Sequence, residues 1–252
     1  MMLETLKRSV DGVVGRITLC RPSKRNALSR RALRELASTA VWFDQKHPEV
    51  RVVVFEGEGA SFCAGADLED FAKLIFGGEL EAAGRQIAGH GREAIEAIRG
   101  MRAITVASAH GHAIGGGFLL LASCDFRVVT DDLVMAVPEL DLGIPLTWGG
   151  VPMMLAELGP GRTRDLIMTG RRWSADEAFN AGFVHRVAKE RTRKAVTAYL
   201  IRTLLQKPEL PMKMTQLQLK GGPVDEPELM ARAMSDPGFR TAAAAYLKKT
   251  QS

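Results

Sequence analysis

With 252 residues, 46% apolar and 25% charged, the chain is long enough to bury one large core, or one core plus a small helical appendage. Its net charge of +5 is scattered among acidic residues without an aromatic-studded basic stripe, which argues against nucleic acid and suits a phosphorylated small molecule. No apolar run reaches the length of a membrane span, and Cys20, Cys63 and Cys124 lack metal-ligand spacing. These cysteines read as buried thiols of a reducing compartment. Met1-Met2-Leu3-Glu4 begins no signal peptide, so a cytoplasmic location without membrane or metal is expected.

Two strands are predicted first, Leu6 to Val10 and Val14 to Cys20, joined by the turn signal Asp11-Gly12. The segment Arg21 to Ser29 breaks the pattern. Ser29 can cap a helix whose apolar face is Leu33, Leu36, Ala37, Ala40 and Val41. A strand-like run, Val50 to Phe55, leads into Phe62-Cys63-Ala64-Gly65-Ala66-Asp67-Leu68. From Phe71 to Gly91 a weak helical pattern is interrupted by Gly77, Gly78, Gly84, Gly89 and Gly91; it firms up through Ala94, Ile95, Ala97 and Ile98. His90, alone in this segment, is expected to be solvated.

The next stretch is the most informative. A strand, Ile104 to Ser108, precedes Ala109-His110-Gly111-His112-Ala113-Ile114-Gly115-Gly116-Gly117, a short apolar helix to Asp125, and another strand, Phe126 to Val129. Three consecutive glycines let another group approach the backbone, and the helix that follows has N–H groups without intrahelical partners. Such a turn is either a tight crossover that needs small residues, or a preformed site for an anion or a developing oxyanion. His110 and His112 have no carboxylate at a telling spacing, so packing is their expected role. Further on, Leu133 to Val137 reads as a strand and Pro138 to Pro145 as the turn after it. A helix opens at Gly149-Gly150 and runs through Met153, Met154 and Leu158. Ser174 and Glu177 form a capping box, and Gly182 to Val187 is a short strand. From Ala188 onward the pattern is helical and basic-amphipathic, with breaks at Pro208, Pro211 and Gly221-Gly222. Alternating strands and helices define an α/β class.

Together and in this order, the Cys63–Leu68 and triple-glycine stretches resemble the crotonase superfamily, the enoyl-CoA hydratases and isomerases. The resemblance runs from about Leu6 to Val187, and more loosely to the C-terminus. It implies a crotonase-like spiral of ββα turns over residues 1–187 that carries an acyl-CoA site. A C-terminal helical region, 188–252, would mediate trimerisation, giving a homotrimer or a dimer of trimers. The implied substrate is an acyl-CoA, and no cofactor is needed beyond its CoA moiety. In the family, two backbone N–H groups hold the thioester oxygen; by position these belong to Ala66 and Gly116. The Arg21-Pro22…Asn26-Ala27-Leu28 segment matches the stretch lining the CoA channel, which makes Lys24 and Arg25 candidates for CoA phosphates. Ala27, Leu28, Ala64, Asp67, Leu68, Gly115 and Leu119 complete the expected substrate contacts, although Asp67 reads from its own chemistry as a residue that orders its loop. The Phe71–Gly91 segment corresponds to the variable cover of the acyl pocket.

The resemblance also raises a question of chemistry. Hydration of an enoyl thioester needs a positioned water, a proton donor and a stabilised enolate oxygen. Family hydratases grip the water with two glutamates. One of them, in a Pro-Glu pair, is matched by Glu139; the other falls three residues after the middle glycine, where this chain has Leu119. Leucine cannot hold a water, and it dries the pocket, which should raise the Glu139 pKa. One carboxylate facing an oxyanion hole suits moving a proton along an unsaturated acyl chain, so the sequence reads as isomerase-like. Asp141 is a weaker substitute base. A hydratase working with Glu139 alone, and an acyl-CoA-binding protein without catalysis, are the alternatives.

Overall fold

The Asp11-Gly12 signal closes a hairpin. In the computed structural model β1 (Leu6–Asp11) and β2 (Val14–Leu19) pair antiparallel, with Leu6 opposite Leu19, and Gly12 takes the left-handed conformation (φ 55°) of the tight turn. The structure describes residues 3–76, 80–221 and 225–250; Gly77, Gly78 and Gly222, among the breaks read from the sequence, lie outside them. Ser29 caps α1 (Arg30–Lys46), its hydroxyl accepting from the Ala32 N–H at 3.2 Å. The buried face of α1 is Leu33, Leu36, Ala37, Ala40 and Phe43; Val41, expected on it, is 46% exposed. Val41 lies beside the stripe centred on Leu33, Leu36, Ala40 and Phe43, one helical step out of line. β3 (Val52–Gly57) then runs parallel to β2.

Helices α2 (Leu68–Ile75) and α3 (Leu80–Arg99) follow. α3 runs unbroken through Gly84, Gly89 and Gly91, against the sequence expectation, and packs along α1 with Ala83, Ala94, Ile95 and Ile98 buried. Tertiary burial outweighs the low helix propensity of glycine here. β4 (Ile104–Ala109) is buried over its whole length, as a central parallel strand should be. After it come β5 (His112–Ile114), a three-residue strand the sequence did not predict, α4 (Gly116–Ala122) and β6 (Phe126–Thr130). β7 (Val134–Ala136) leads to a 3-10 turn over Glu139–Leu142 and then to α5 (Gly150–Thr169), which breaks at Gly159 (φ 70°, ψ 171°) ahead of Pro160. β8 (Trp173–Ser174) precedes α6 (Ala175–Asn180), whose Ser174–Glu177 capping box is formed. β9 (Arg186–Ala188) ends the strand series.

A six-stranded sheet has the order β1-β2-β3-β4-β6-β9 and is parallel from β2 onward; a small sheet has the order β5-β7-β8. Successive turns of the chain place β4 then β6 in the large sheet, and β5 then β7 in the small one. This is the ββα spiral expected.

The chain forms two compact units, Met1–Ala198 and Tyr199–Ser252, so the division falls inside α7 (Glu190–Leu205), later than the boundary read at residue 187. In the second unit α9 (Glu226–Ser235) packs against both α8 (Glu209–Leu219) and α10 (Phe239–Thr250). Pro211 does not break the chain: it is in the first turn of α8, where its missing N–H costs no intrahelical bond. Among the described residues no helix is long and apolar enough to cross a membrane.

Candidate active site

Three chain segments lie side by side at the ends of the parallel strands. The Leu28 N–H donates to the Gly65 carbonyl at 2.7 Å and the Asp67 N–H to Leu28 at 3.0 Å. The Cys63 N–H donates to His112 at 2.9 Å, and the Ile114 N–H returns to Cys63 at 3.1 Å. β5 thus carries the Cys63–Asp67 loop, which in turn carries the Ala27–Leu28 loop. The parallel register at Leu28 uses the groups flanking Ala66 and leaves the Ala66 N–H facing away. Gly116 begins α4, so its N–H has no intrahelical acceptor. Among the described residues neither N–H makes a hydrogen bond within the chain.

Glycines set how closely these loops approach. A methyl group on Gly117 would lie 2.2 Å from the Cys63 carbonyl oxygen, and one on Gly65, itself at φ 95°, would lie 2.6 Å from the Ile114 carbonyl. The triple-glycine turn is therefore a tight crossover whose small residues are required by close backbone approach.

Glu139 opens the 3-10 turn after β7, whose Ala136 carbonyl accepts the Gly115 N–H at 2.8 Å. Its carboxylate rests where a side chain on Gly115 would be, Oε1 standing 2.6 Å from the position of that missing methyl, and Oε2 is buried without a hydrogen-bond partner. Burial holds the Glu139 carboxyl above the ordinary glutamate range, with a smaller opposing effect from a backbone hydrogen bond. Leu119 is in the first turn of α4, fully buried and packed toward Gly150 at the start of α5. Phe118 turns the other way and stacks on Phe183, with centroids 5.1 Å apart. Asp141 is exposed and faces Gly170 rather than Glu139.

The remaining candidates separate by place. Asp67 caps α2 by accepting from the Asp70 N–H and pairs with Arg21 at 2.6 Å, which orders the loop as expected. Lys24 and Arg25 are both exposed on the neighbouring loop, Lys24 paired with Glu69 at 2.6 Å. Ala27 and Ala64 are half-buried, Leu28 is buried, and Leu68 at the start of α2 is 58% exposed. His110 and His112 pack locally, on the Gly59 carbonyl at 2.7 Å and the Ser61 hydroxyl at 3.1 Å. His90, expected in solvent, is half-buried with Nδ1 enclosed and unpartnered. Cys63 and Cys124 are buried thiols as expected, and burial pushes Cys63 up to about 12; Cys20 is half-buried.

Two organising residues escaped the sequence. Asn26, 1% exposed at φ 58°, donates to the Glu58 carbonyl at 2.9 Å and the Ser61 carbonyl at 2.8 Å while accepting from the Arg21 N–H. The signal for it was available, since asparagine tolerates the left-handed conformation better than other side chains. Arg127 is buried and donates to the Cys124 carbonyl at 2.9 Å and the Ala122 carbonyl at 3.3 Å, at the C-terminal end of α4; its other end pairs with Glu157 at 2.6 Å. A guanidinium there complements the helix dipole and fixes the helix that begins at Gly116.

The two interleaved sheets and the abutting glycine loops define a crotonase-type fold, with the half-buried Glu139 seated on Gly115 beside the glycine turn. The chain belongs to the enoyl-CoA hydratase/isomerase family, whose sequence description matches residues 10–231. It is 34% identical over 194 residues to the mevalonyl-coenzyme A hydratase of Aspergillus fumigatus, covering 76% of this chain and 68% of that protein. To the peroxisomal Delta(3,5)-Delta(2,4)-dienoyl-CoA isomerase of Arabidopsis thaliana it is 32% identical over 193 residues, 73% of this chain and 69% of that one. A Thermobifida fusca structure solved in complex with acetoacetyl-CoA superposes with a TM-score of 0.77 at 31% identity, covering 97% of this chain and 95% of the other.

Proposed function

We propose that the protein acts on an enoyl-CoA thioester, with the Ala66 and Gly116 N–H groups holding the thioester oxygen and Glu139 moving the proton. The observation that carries this is the half-buried Glu139, whose Oε2 is enclosed without a hydrogen-bond partner and whose Oε1 is seated on Gly115, the neighbour of Gly116 with its unbonded N–H. In the isomerase direction the ionised carboxylate removes a proton from C2 of a 3-enoyl thioester. The electron pair shifts to the thioester oxygen, giving a dienolate held by the two N–H groups. Return of the same proton to C4 yields the 2-enoyl isomer, with no atom gained or lost. The raised Glu139 pKa suits both halves, since the group must take a proton and then release it. Lys24 and Arg25 would meet the CoA phosphates, Lys24 by leaving Glu69. Turnover of trans-2-, trans-3- and cis-3-enoyl-CoA with product identification tests this: double-bond migration is expected, and predominant hydration of the trans-2 substrate would exclude the isomerase weighting.

Leu119 favours isomerase over hydratase, and it also keeps open an acyl-CoA-binding protein without turnover. Leu119→Glu should let two carboxylates share a water and raise hydration of a trans-2-enoyl-CoA above the parent. The gain should be small, and stability should fall, because this position is 1% exposed and a buried charge is costly. Hydration unchanged in a folded variant would show that position 119 does not face the water.

A trimer, or a dimer of trimers, fits the same reading. In the second unit Tyr199, Met230, Phe239 and Leu247 are exposed, together with Leu217, Leu219, Met234 and Tyr246, and such apolar surface suits burial against a second copy. Light scattering at micromolar concentration should return the mass of three or six chains; monomer alone would contradict it.

A further inference from the structure

Trp148 stands before Gly149-Gly150 at the entrance to α5, and its geometry is not that of an ordinary core residue. Its backbone is left-handed (φ 54°), as is that of Gly149 (φ 71°), a conformation that is unfavourable for a bulky side chain and persists only where the surroundings enforce it. The side chain is 6% exposed, and the indole N–H donates to the Ile87 carbonyl of α3 at 3.1 Å. Two glycines make room for the ring: a methyl on Gly91 of α3 would lie 2.0 Å from it, and one on Gly116 would lie 2.3 Å from it. A smaller apolar residue in a relaxed backbone could fill a core gap without either notch. The strain, the two notches and the polar tether together hold a rigid plate between α3 and the first residue of α4.

We infer that Trp148 is the end wall of the acyl pocket and restricts the substrate to short acyl groups. This rests on the reading that the Gly116 N–H holds the thioester oxygen. An acyl chain that begins at that oxygen starts beside the indole, because the ring contacts the Gly116 backbone itself. Chain growth toward α3 meets the outer edge of the six-membered ring, which is the part nearest Gly116, and the Ile87 bond prevents the ring from swinging aside. A four-carbon acyl group would fit beside the ring, whereas a ten-carbon chain directed toward α3 would run into it.

Calorimetry with CoA, butyryl-CoA and decanoyl-CoA, which are saturated and do not react, tests the wall in the parent and in Trp148→Ala. The parent should bind butyryl-CoA at least tenfold more tightly than decanoyl-CoA. Trp148→Ala should erase that preference by strengthening decanoyl-CoA binding, while CoA itself binds as before. If the parent binds both acyl-CoAs equally, or if the variant weakens both in proportion, Trp148 is core filling and the wall is refuted. If CoA and both acyl-CoAs fail to bind the folded parent, the acyl-CoA reading falls and the wall falls with it. Should Trp148→Ala not fold, the length preference of the parent and its relaxation in Trp148→Phe, which lacks the N–H tether, decide the matter on the same terms.

Discussion

Replacing Glu139 with Gln should abolish proton transfer while leaving acyl-CoA binding nearly intact. The amide keeps the shape of the carboxylate but cannot accept the proton, and the groups proposed to hold the thioester oxygen are backbone N–H groups that the substitution does not touch. A positioned general base contributes about 10²–10⁴-fold, so kcat should fall by at least that range with KM little changed. The pH profile gives an independent check. Burial raises the folded-state pKa of Glu139, and the ionised form is the base. The acid limb of kcat/KM should therefore lie above the ordinary glutamate value of about 4.3. The stability consequence has a definite sign. A carboxyl whose folded pKa is raised binds its proton more tightly when folded, so its contribution is full below the unfolded value and is lost as pH rises through the folded one. At neutral pH Glu139→Gln should thus raise Tm as it removes turnover. A variant that keeps its rate, or one that loses stability at neutral pH, would show that Glu139 is not a buried base.

The second large effect is expected at Gly117. A methyl there would stand 2.2 Å from the Cys63 carbonyl oxygen and 2.9 Å from the Cys63 Cβ. Backbone faces backbone, so no flexible side chain can move away, and the two loops must separate. Displacements of about 1 Å cost on the order of 10²-fold in rate when reacting groups are pre-positioned. Forced overpacking costs roughly 1–3 kcal/mol of stability. Gly117→Ala should lose both activity and Tm. Gly84→Ala supplies the contrast: α3 is open around Gly84, with nothing within 4 Å of an added methyl, and alanine favours helix over glycine by about 1 kcal/mol. That variant should be slightly stabilised and fully active. Equal behaviour of the two variants, by thermal melting and turnover, would remove the idea that the loops are held together by absent side chains.

Local chemistry was readable wherever a short-range rule decides the outcome. The Asp11-Gly12 hairpin, the Ser29 cap of α1 and the Ser174–Glu177 box all follow from a few adjacent residues and their own hydrogen bonds. The site was readable in part, because its loops are built from glycines whose spacing survives in the sequence. What the sequence hid depends on partners distant along the chain. α3 stays helical through Gly91 because that glycine is a notch for Trp148, a relation no local propensity expresses. β5 has only three residues and lies between glycines, too short for a period to show. His90 was placed in solvent because its segment looked irregular; once α3 is continuous the residue is carried into a half-buried position. Arg127 was read only as part of the strand Phe126 to Val129. Its guanidinium is buried because three carbonyl groups and Glu157 satisfy it, and these are brought together only by the fold.

The Asn26 side chain bonds to residues 32 and 35 positions further along the chain. The Cys63 loop leans on β5, and Glu139 settles on Gly115 from a later turn. None of these links can close early, since each waits for a partner synthesised later in the chain, and contacts of long sequence separation form slowly. During translation the glycine loops are made before the turn that bears Glu139. On the proposed reading, the groups that would hold a thioester oxygen are therefore made before the group that would move its proton, and proton transfer waits for the turn bearing Glu139 to dock on Gly115.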